Sequence, residues 1–199
     1  EYFHLWNVKR MLPAVFRPYD LSREVHTGQL WAFEGITSYY DDLALCRAGL
    51  LSVEGWLERV GRIITRVHRG AGRFRQTLAE SSFDAWTRFY KADENAPNAI
   101  VSYYAKGALV AAKGALVALA LDLTIRLRTR GDRSLDDVMR ALWRTCGRRG
   151  DGVPEDGVER MAAAVSGLDL EPFFEHALRS TRELELAGLL SAFGIRLDW

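Results

Sequence analysis

Apolar residues recur at helical spacing along most of this 199-residue chain, and this periodicity constrains the fold more than any other feature. The clearest case follows Ser52, a residue type that caps helices, where an apolar stripe runs from Val53 to Val67. No segment alternates apolar and polar residues over more than a few positions, as a half-buried strand would. The sequence therefore predicts an all-α fold without an internal linker.

The other helices are predicted from the same spacing, combined with residues that start or stop helices. Ser134 and Asp137 have the spacing of a capping box, in which each side chain hydrogen-bonds the other residue's backbone N–H. A polar turn with a proline, KADENAPN at 91–98, precedes the longest apolar stretch. The predicted helices span 28–46, 52–69, 99–128, 134–147, 154–165, 170–179 and 184–193.

The composition excludes several kinds of partner. Lys and Arg number 27 against 26 Asp and Glu, so the balanced charge does not favour binding to nucleic acid or to an anionic membrane. The longest apolar run, 114–121, is too short to cross a bilayer. The two cysteines form neither a disulfide framework nor a zinc-binding pair, which favours the cytoplasm over the periplasm.

The first four residues contain a pattern of possible metal chemistry. Glu1 and His4 are three apart and share one face of a helix. A histidine directly before Glu1 would complete His-Glu-x-x-His, which binds zinc and holds the glutamate beside the metal-bound water. We expect this stretch to be the interior of a helix rather than a natural start. Taken alone, the stretch favours the simpler interpretation, an exposed glutamate and a hydrogen-bonded histidine on an amphipathic helix.

Two further segments carry polar groups in apolar surroundings. Glu34 lies in an otherwise apolar helical stretch and requires a partner if it is buried. That partner is either Lys9 or Arg10 in an ion pair, or a zinc ion, which accepts carboxylate ligands. Tyr103 and Tyr104 begin the long apolar helix. They are either core aromatics with a hydrated hydroxyl or donors to an oxyanion.

The long helix also contains a duplication. The heptapeptide AKGALVA occurs at 105–111 and again at 112–118. Seven residues are close to two helical turns, so the two copies present nearly the same face, with about 20° of drift. The simplest interpretation is a tandem duplication that packing tolerates, since two repeats are too few for a solenoid.

In this order the segments resemble the catalytic domain of the glycyl aminopeptidase family, bacterial zinc peptidases of the gluzincin clan that usually carry a PDZ domain. The resemblance implies that residues 1–199 form a single helical subdomain, similar to the C-terminal half of a thermolysin-like gluzincin catalytic domain. It also implies a β-rich part upstream and a PDZ domain downstream, neither of which this sequence contains. The similarity is densest at EYFHLWNVKR, WAFEGITSYYDDLALCRAGLL, SFDAW, DENAPN, VSYYAKGALV and RSLDDVMRALW.

The resemblance implies a role for each candidate residue. His4 matches the second zinc histidine, and Glu34 matches the glutamate that completes the metal ligands. Glu1 matches the general base that takes a proton from the zinc-bound water. Tyr104 matches the tyrosine before x-Lys-Gly that stabilises the tetrahedral intermediate, with Tyr103 as the adjacent alternative.

Three polar residues near these positions are candidates to support the ligands. Asn7 follows His4 by one turn, and Asp41 and Asp42 follow Glu34 by two turns. For the two aspartates, a place on the solvated surface is the favoured interpretation.

The resemblance implies an intact enzyme that hydrolyses N-terminal residues, glycine or another small residue, from peptide substrates with Zn²⁺. The first zinc histidine is absent from the sequence, so we expect residues 1–199 alone to bind little or no zinc and to be inactive. The alternative is a non-catalytic helical scaffold or protein-interaction module derived from such a peptidase. Histidine directly before Glu1 would favour the enzyme, and any other residue would favour the scaffold.

Overall fold

The computed structural model describes residues 2–85 and 109–198, and within these two ranges every regular element is helical. The β-type pairings found there are two isolated backbone bridges, Asn7 with Met11 and Pro13 with Val153. The predicted all-α class is confirmed. No helix in the described ranges is long and apolar enough to cross a membrane.

The α-helices of the described ranges follow the predicted order, and shorter helices of other types flank them. Two π-helices directly precede α1 and follow α5, namely Trp31–Ile36 and Trp143–Gly147. Short 3₁₀ helices span Tyr2–Leu5, Ala14–Phe16 and Ala71–Phe74. The α-helices are α1 (Thr37–Arg47), α2 (Val53–Arg69), α3 (Leu78–Phe83), α4 (Leu109–Arg128), α5 (Leu135–Leu142), α6 (Gly157–Ser166), α7 (Glu171–Arg179) and α8 (Leu186–Ala192).

The helix starts depend on local side-chain hydrogen bonds. Ser52 caps α2, because its hydroxyl oxygen accepts the backbone N–H of Gly55 at 3.0 Å. Asp137 closes the predicted capping box at α5, where its Oδ2 accepts the backbone N–H of Ser134 at 2.9 Å. Both predictions are confirmed, since the groups involved are only three residues apart in the sequence.

Helix α4 forms the centre of the core. All side chains from Ala115 to Leu121 are buried, and Val117, Ala118 and Leu121 are completely inaccessible. The Trp31–Ile36 helix, α1, α2, α3 and α8 pack around α4. A helix that is apolar on all sides is stable only when neighbours cover it on all sides. The long apolar stretch is therefore the central element on which the other helices assemble.

Candidate metal centre

His4 lies in a short 3₁₀ helix rather than in the regular α-helix that the Glu-x-x-His spacing predicts. This helix covers Tyr2–Leu5, and the chain turns back on itself at Val8, whose φ is +125°. The backbone N–H of Val8 donates to the carbonyl of Met11 at 2.8 Å, which closes the turn. The turn leaves His4 half-buried and directed toward the helix that carries Glu34.

The hydrogen bond of His4 determines which ring nitrogen carries the proton. His4 Nδ1 lies 2.9 Å from the carbonyl oxygen of Asn7, which is an acceptor only. Nδ1 therefore holds a hydrogen and donates it to that carbonyl. In the neutral ring Nε2 is then an unprotonated acceptor, and this is the form in which histidine binds metals.

Glu34 lies in the π-helix Trp31–Ile36, directly before α1. Its Oε2 lies 3.6 Å from Nε2 of His4. The ion pairs found among the described residues include none between Glu34 and Lys9 or Arg10. Single π-helical turns recur at functional sites, because the extra residue in the turn redirects side chains.

The spacing of these two groups fits a shared zinc ion. Zinc binds histidine nitrogen and carboxylate oxygen at about 2.0–2.2 Å, so tetrahedral geometry separates two such ligands by about 3.4 Å. The observed separation of Nε2 and Oε2 is 3.6 Å. Two acceptor atoms facing each other at this distance form a suitable place for a cation. A proton on Nε2 would also satisfy the pair, as a His4–Glu34 ion pair.

Asn7 connects the turn that carries His4 to the helix that carries Glu34. Its side-chain Nδ2 donates to the carbonyls of Ala32 and Phe33 at 3.1 and 3.2 Å and to the Thr37 hydroxyl at 3.1 Å. The same residue accepts the His4 Nδ1 hydrogen through its own carbonyl. Asn7 is 3% exposed, so these bonds are shielded from water. It therefore fixes both candidate ligands relative to each other.

Thr37 also belongs to this cluster, although the sequence analysis did not single it out. Its hydroxyl donates to the Phe33 carbonyl at 2.7 Å and lies 3.4 Å from His4 Nδ1. The available signal was its spacing, since a polar residue three positions after Glu34 shares the face of that glutamate on a helix. Buried Thr37 is a second acceptor for the Nδ1 hydrogen.

The two aspartates lie outside this cluster. Asp41 Oδ1 accepts the backbone N–H of Phe3 at 3.5 Å, and Asp42 pairs with Arg59 at 2.7 Å. The Asp42 pair is on the solvated surface, as predicted, because the Arg59 side chain is 46% exposed. Asp41 instead helps to attach the first 3₁₀ helix to α1.

The remaining candidate residues, Glu1, Tyr103 and Tyr104, lie outside the described residues. Of the residues that the structure describes, no three His, Cys, Asp or Glu side chains come together in a way that would hold a metal ion. Among the described residues, His4 and Glu34 are therefore two candidate ligands that no third candidate joins. His26 is not part of this pair, because its ring stacks on Phe83 and its Nδ1 lies 2.8 Å from the Phe83 carbonyl oxygen.

The helix that carries Glu34 is attached to the rest of the domain at its first turn. The backbone N–H of Trp31 donates to the hydroxyl of Ser82 in α3 at 3.1 Å. The segment just before this helix is held by Glu155, whose carboxylate accepts hydrogen bonds from the Thr27 hydroxyl at 3.0 Å and from the Gln29 side-chain amide at 3.4 Å. The position of Glu34 therefore depends on contacts from distant parts of the chain.

This helical arrangement is similar to that of a solved member of an aminopeptidase family. It matches the crystal structure of an aminopeptidase N family protein from Idiomarina loihiensis with a TM-score of 0.87 and 44% sequence identity, over 98% of this chain. The chain spans 32% of the length of that protein.

The family assignment comes from the sequence profile of the M61 glycyl aminopeptidases, which matches residues 1–110. The chain belongs to this peptidase family, as the sequence analysis predicted. The comparison with curated proteins gave no match.

Proposed function

We propose that residues 1–199 form a helical subdomain of a zinc-dependent aminopeptidase, which removes glycine or another small residue from the amino terminus of peptides. The observation that carries this proposal is the His4–Glu34 pair. His4 holds its hydrogen on Nδ1 and directs Nε2 toward the Glu34 carboxylate, and the 3.6 Å between Nε2 and Oε2 is close to the separation of two zinc ligands. Membership of a peptidase family supports the same conclusion.

The zinc ligands in this proposal are His4, Glu34 and a histidine in the position directly before Glu1. When bound, the metal lowers the pKa of its water and polarises the carbonyl of the scissile bond. His4 and Glu34 hold their positions through Asn7, which bonds the backbone and side chains around both.

Two other residues act on the substrate in this proposal. Glu1 accepts a proton from the attacking water and delivers it to the leaving amine, as a general base and then a general acid. Tyr104 donates a hydrogen bond to the oxyanion of the tetrahedral intermediate, and Tyr103 is the alternative donor. Loss of one such donor typically costs about 10²–10³ in turnover.

Residues 1–199 alone contain two of the three protein ligands that a catalytic zinc takes, His4 and Glu34. We therefore expect this stretch by itself to bind little zinc and to have no peptidase activity. The experiment compares it with a longer protein that includes the upstream residues. Zinc content is measured by atomic absorption, and activity by cleavage of an amide bond after an N-terminal glycine.

We expect stoichiometric zinc and turnover in the longer protein, and loss of both in its His4→Ala variant. His26→Ala is the matched control, because His26 packs on Phe83 rather than on Glu34. Zinc and turnover that survive His4→Ala would show that the ligands lie elsewhere. A longer protein that folds without zinc or turnover would favour the non-catalytic scaffold instead.

A further inference from the structure

A largely apolar pocket of about 150 Å³ lies where α2, α4 and α8 meet the segment that follows α8. None of the described residues that line it belongs to the candidate metal centre. One water molecule needs about 10–15 Å³, whereas pockets for drug-sized ligands measure about 300–1,000 Å³. The pocket therefore fits a ligand of few non-hydrogen atoms. Its apolar walls are Ile64, Val67, Leu116, Leu184, Leu186 and Leu197.

Lys113 of α4 brings a buried cation to this pocket. The residue is 8% exposed and lines the pocket. Among the residues that the structure describes, no hydrogen bond or ion pair engages its ammonium group. A buried ammonium is costly unless an opposite charge and hydrogen-bond acceptors compensate it. An anion in the pocket would supply both to Lys113.

The second buried cation of the pocket, Arg73, already has its partners. Its Nε donates to Oε1 of Glu183 at 2.6 Å, and its guanidinium also donates to the backbone carbonyls of His68 and Gly70. Arg73 is 9% exposed, so the Glu183 carboxylate compensates a charge that is itself buried. The pocket carboxylate nearest in role to a partner of Lys113 is thus taken by Arg73.

The charges around the pocket leave one positive charge to neutralise. Arg182 and Glu185 line it together with Lys113 and the Arg73–Glu183 pair. The described lining thus carries three cations and two carboxylates, with His68 counted as neutral. A monoanion balances this set, whereas a dianion would bring a second charge that lacks a partner.

We propose that this pocket binds a small monocarboxylate with a short alkyl chain, whose carboxylate pairs with the Lys113 ammonium. The pair is a charge-assisted hydrogen bond, the stronger kind in a site that excludes water. The alkyl chain lies against apolar walls such as Leu116 and Leu197 and gains from leaving water. This site is independent of the proposed peptidase activity, because none of its described residues is a proposed zinc ligand or acts on the substrate.

The experiment titrates the longer protein, freed of metal, with butyrate and measures binding by saturation-transfer NMR. We expect saturable binding of butyrate, and binding of butan-1-ol, which has the same chain without the charge, to be weaker by about 10-fold or more. Lys113→Met should weaken butyrate by a similar factor and leave butan-1-ol unchanged. Lys9→Met, at an exposed lysine, is the matched control and should bind butyrate like the parent.

A second variant keeps the test decisive if Lys113→Met fails to fold. Ala187 is exposed on α8 and lines the pocket, so Ala187→Trp should fill the space and weaken butyrate and butan-1-ol alike. Absence of saturable butyrate binding, or equal binding in the parent and in Lys113→Met, would overturn the proposal. Butyrate that binds only the zinc-loaded protein, and is lost in His4→Ala, would also overturn it, because the carboxylate would then be on the metal.

Discussion

Glu34 and Asp122 are two carboxylates in apolar helices that pack against each other, yet their surroundings differ. Asp122 is nearly inaccessible and accepts three hydrogen bonds: from the Tyr39 hydroxyl at 2.7 Å, Arg126 Nε at 3.0 Å and the Leu135 backbone N–H at 2.8 Å. Glu34 has a side chain that is 32% exposed, and its Oε2 faces an acceptor-type nitrogen of His4. The first carboxylate is buried and accepts several hydrogen bonds from the core, whereas the second is partly exposed and lies 3.6 Å from the His4 ring.

The donors around Asp122 extend into a second, similar cluster. The Tyr40 hydroxyl and Arg47 both donate to Asp136 Oδ1, at 2.7 and 3.0 Å. Burial is the main cause that raises the pKa of Tyr39, and the neighbouring Asp122 adds to it. Burial likewise raises the pKa of Tyr40, with Asp136 as the next cause. Both phenols therefore remain protonated at neutral pH and donate structural hydrogen bonds to Asp122 and Asp136.

The comparison can be broken most directly by neutralising each carboxylate in turn in the longer protein. Loss of a residue that hydrogen-bonds a metal ligand typically reduces metal affinity about 10–100-fold. We expect Glu34→Gln, which alters a proposed ligand itself, to reduce zinc affinity by more than this. Its effect on the free energy of unfolding of the metal-free protein should stay within about 0.5 kcal/mol. Zinc affinity is measured by competition with a chelator, and stability by chemical denaturation.

Asp122→Asn should show the opposite behaviour. Loss of the buried charge breaks its pair with Arg126 and weakens the bonds from Tyr39 and Leu135, so the free energy of unfolding should fall by about 3 kcal/mol. Zinc affinity should not change. The distinction between the two carboxylates would be wrong if both variants lost zinc, or if Asp122→Asn left stability unchanged.

A further prediction concerns Asn7, which hydrogen-bonds the helix that carries Glu34. Asn7→Ala removes three hydrogen bonds that hold the His4 turn against the Glu34 helix. We expect zinc affinity to fall about 10–100-fold, as for loss of other outer partners of a metal site. Asp42→Ala is the control, because that carboxylate pairs with Arg59 on the surface. If Asn7→Ala lowers stability but leaves zinc affinity unchanged, Asn7 is only structural.

The smallest expected effect concerns Lys113, another charged residue on α4. Lys113 is 8% exposed, and among the described residues no carboxylate lies within ion-pair distance of it. It lines a pocket of about 150 Å³ with Arg73 and Glu183. Burial is the main cause that lowers the pKa of Lys113; the Glu183 carboxylate opposes this effect, and the Arg73 guanidinium adds to it.

The sign of the resulting pH dependence follows from the lowered pKa. Between the folded-state pKa and the unfolded value near about 10.4, the unfolded chain binds more protons, so stability rises with pH in that window. We expect Lys113→Met to raise the free energy of unfolding at pH 7 by about 1 kcal/mol and to remove this rise. Lys9→Met, at an exposed lysine, is the control. A variant that keeps the alkaline rise would assign it to another group.

The sequence predicted the features that depend on residues within one or two helical turns. The cap of α2 by Ser52 and the Ser134–Asp137 capping box are confirmed because both partners are three residues apart. The Asp122–Arg126 pair is local in the same way, because its partners are one helical turn apart. Glu34 was recognisable from the sequence as a carboxylate in an apolar helix, and the structure places His4 beside it.

The tertiary structure decided what depends on groups far apart in the chain. Asn7 reaches Ala32 and Phe33 across 25 and 26 residues, and Tyr39 reaches Asp122 across 83. The close approach of Gly35 and Gly114 also belongs here, since a Cβ on Gly114 would lie 2.6 Å from the Trp31 carbonyl oxygen. Local spacing fixes where helices begin and which face is apolar, but contact between faces is set by the packing of the whole core.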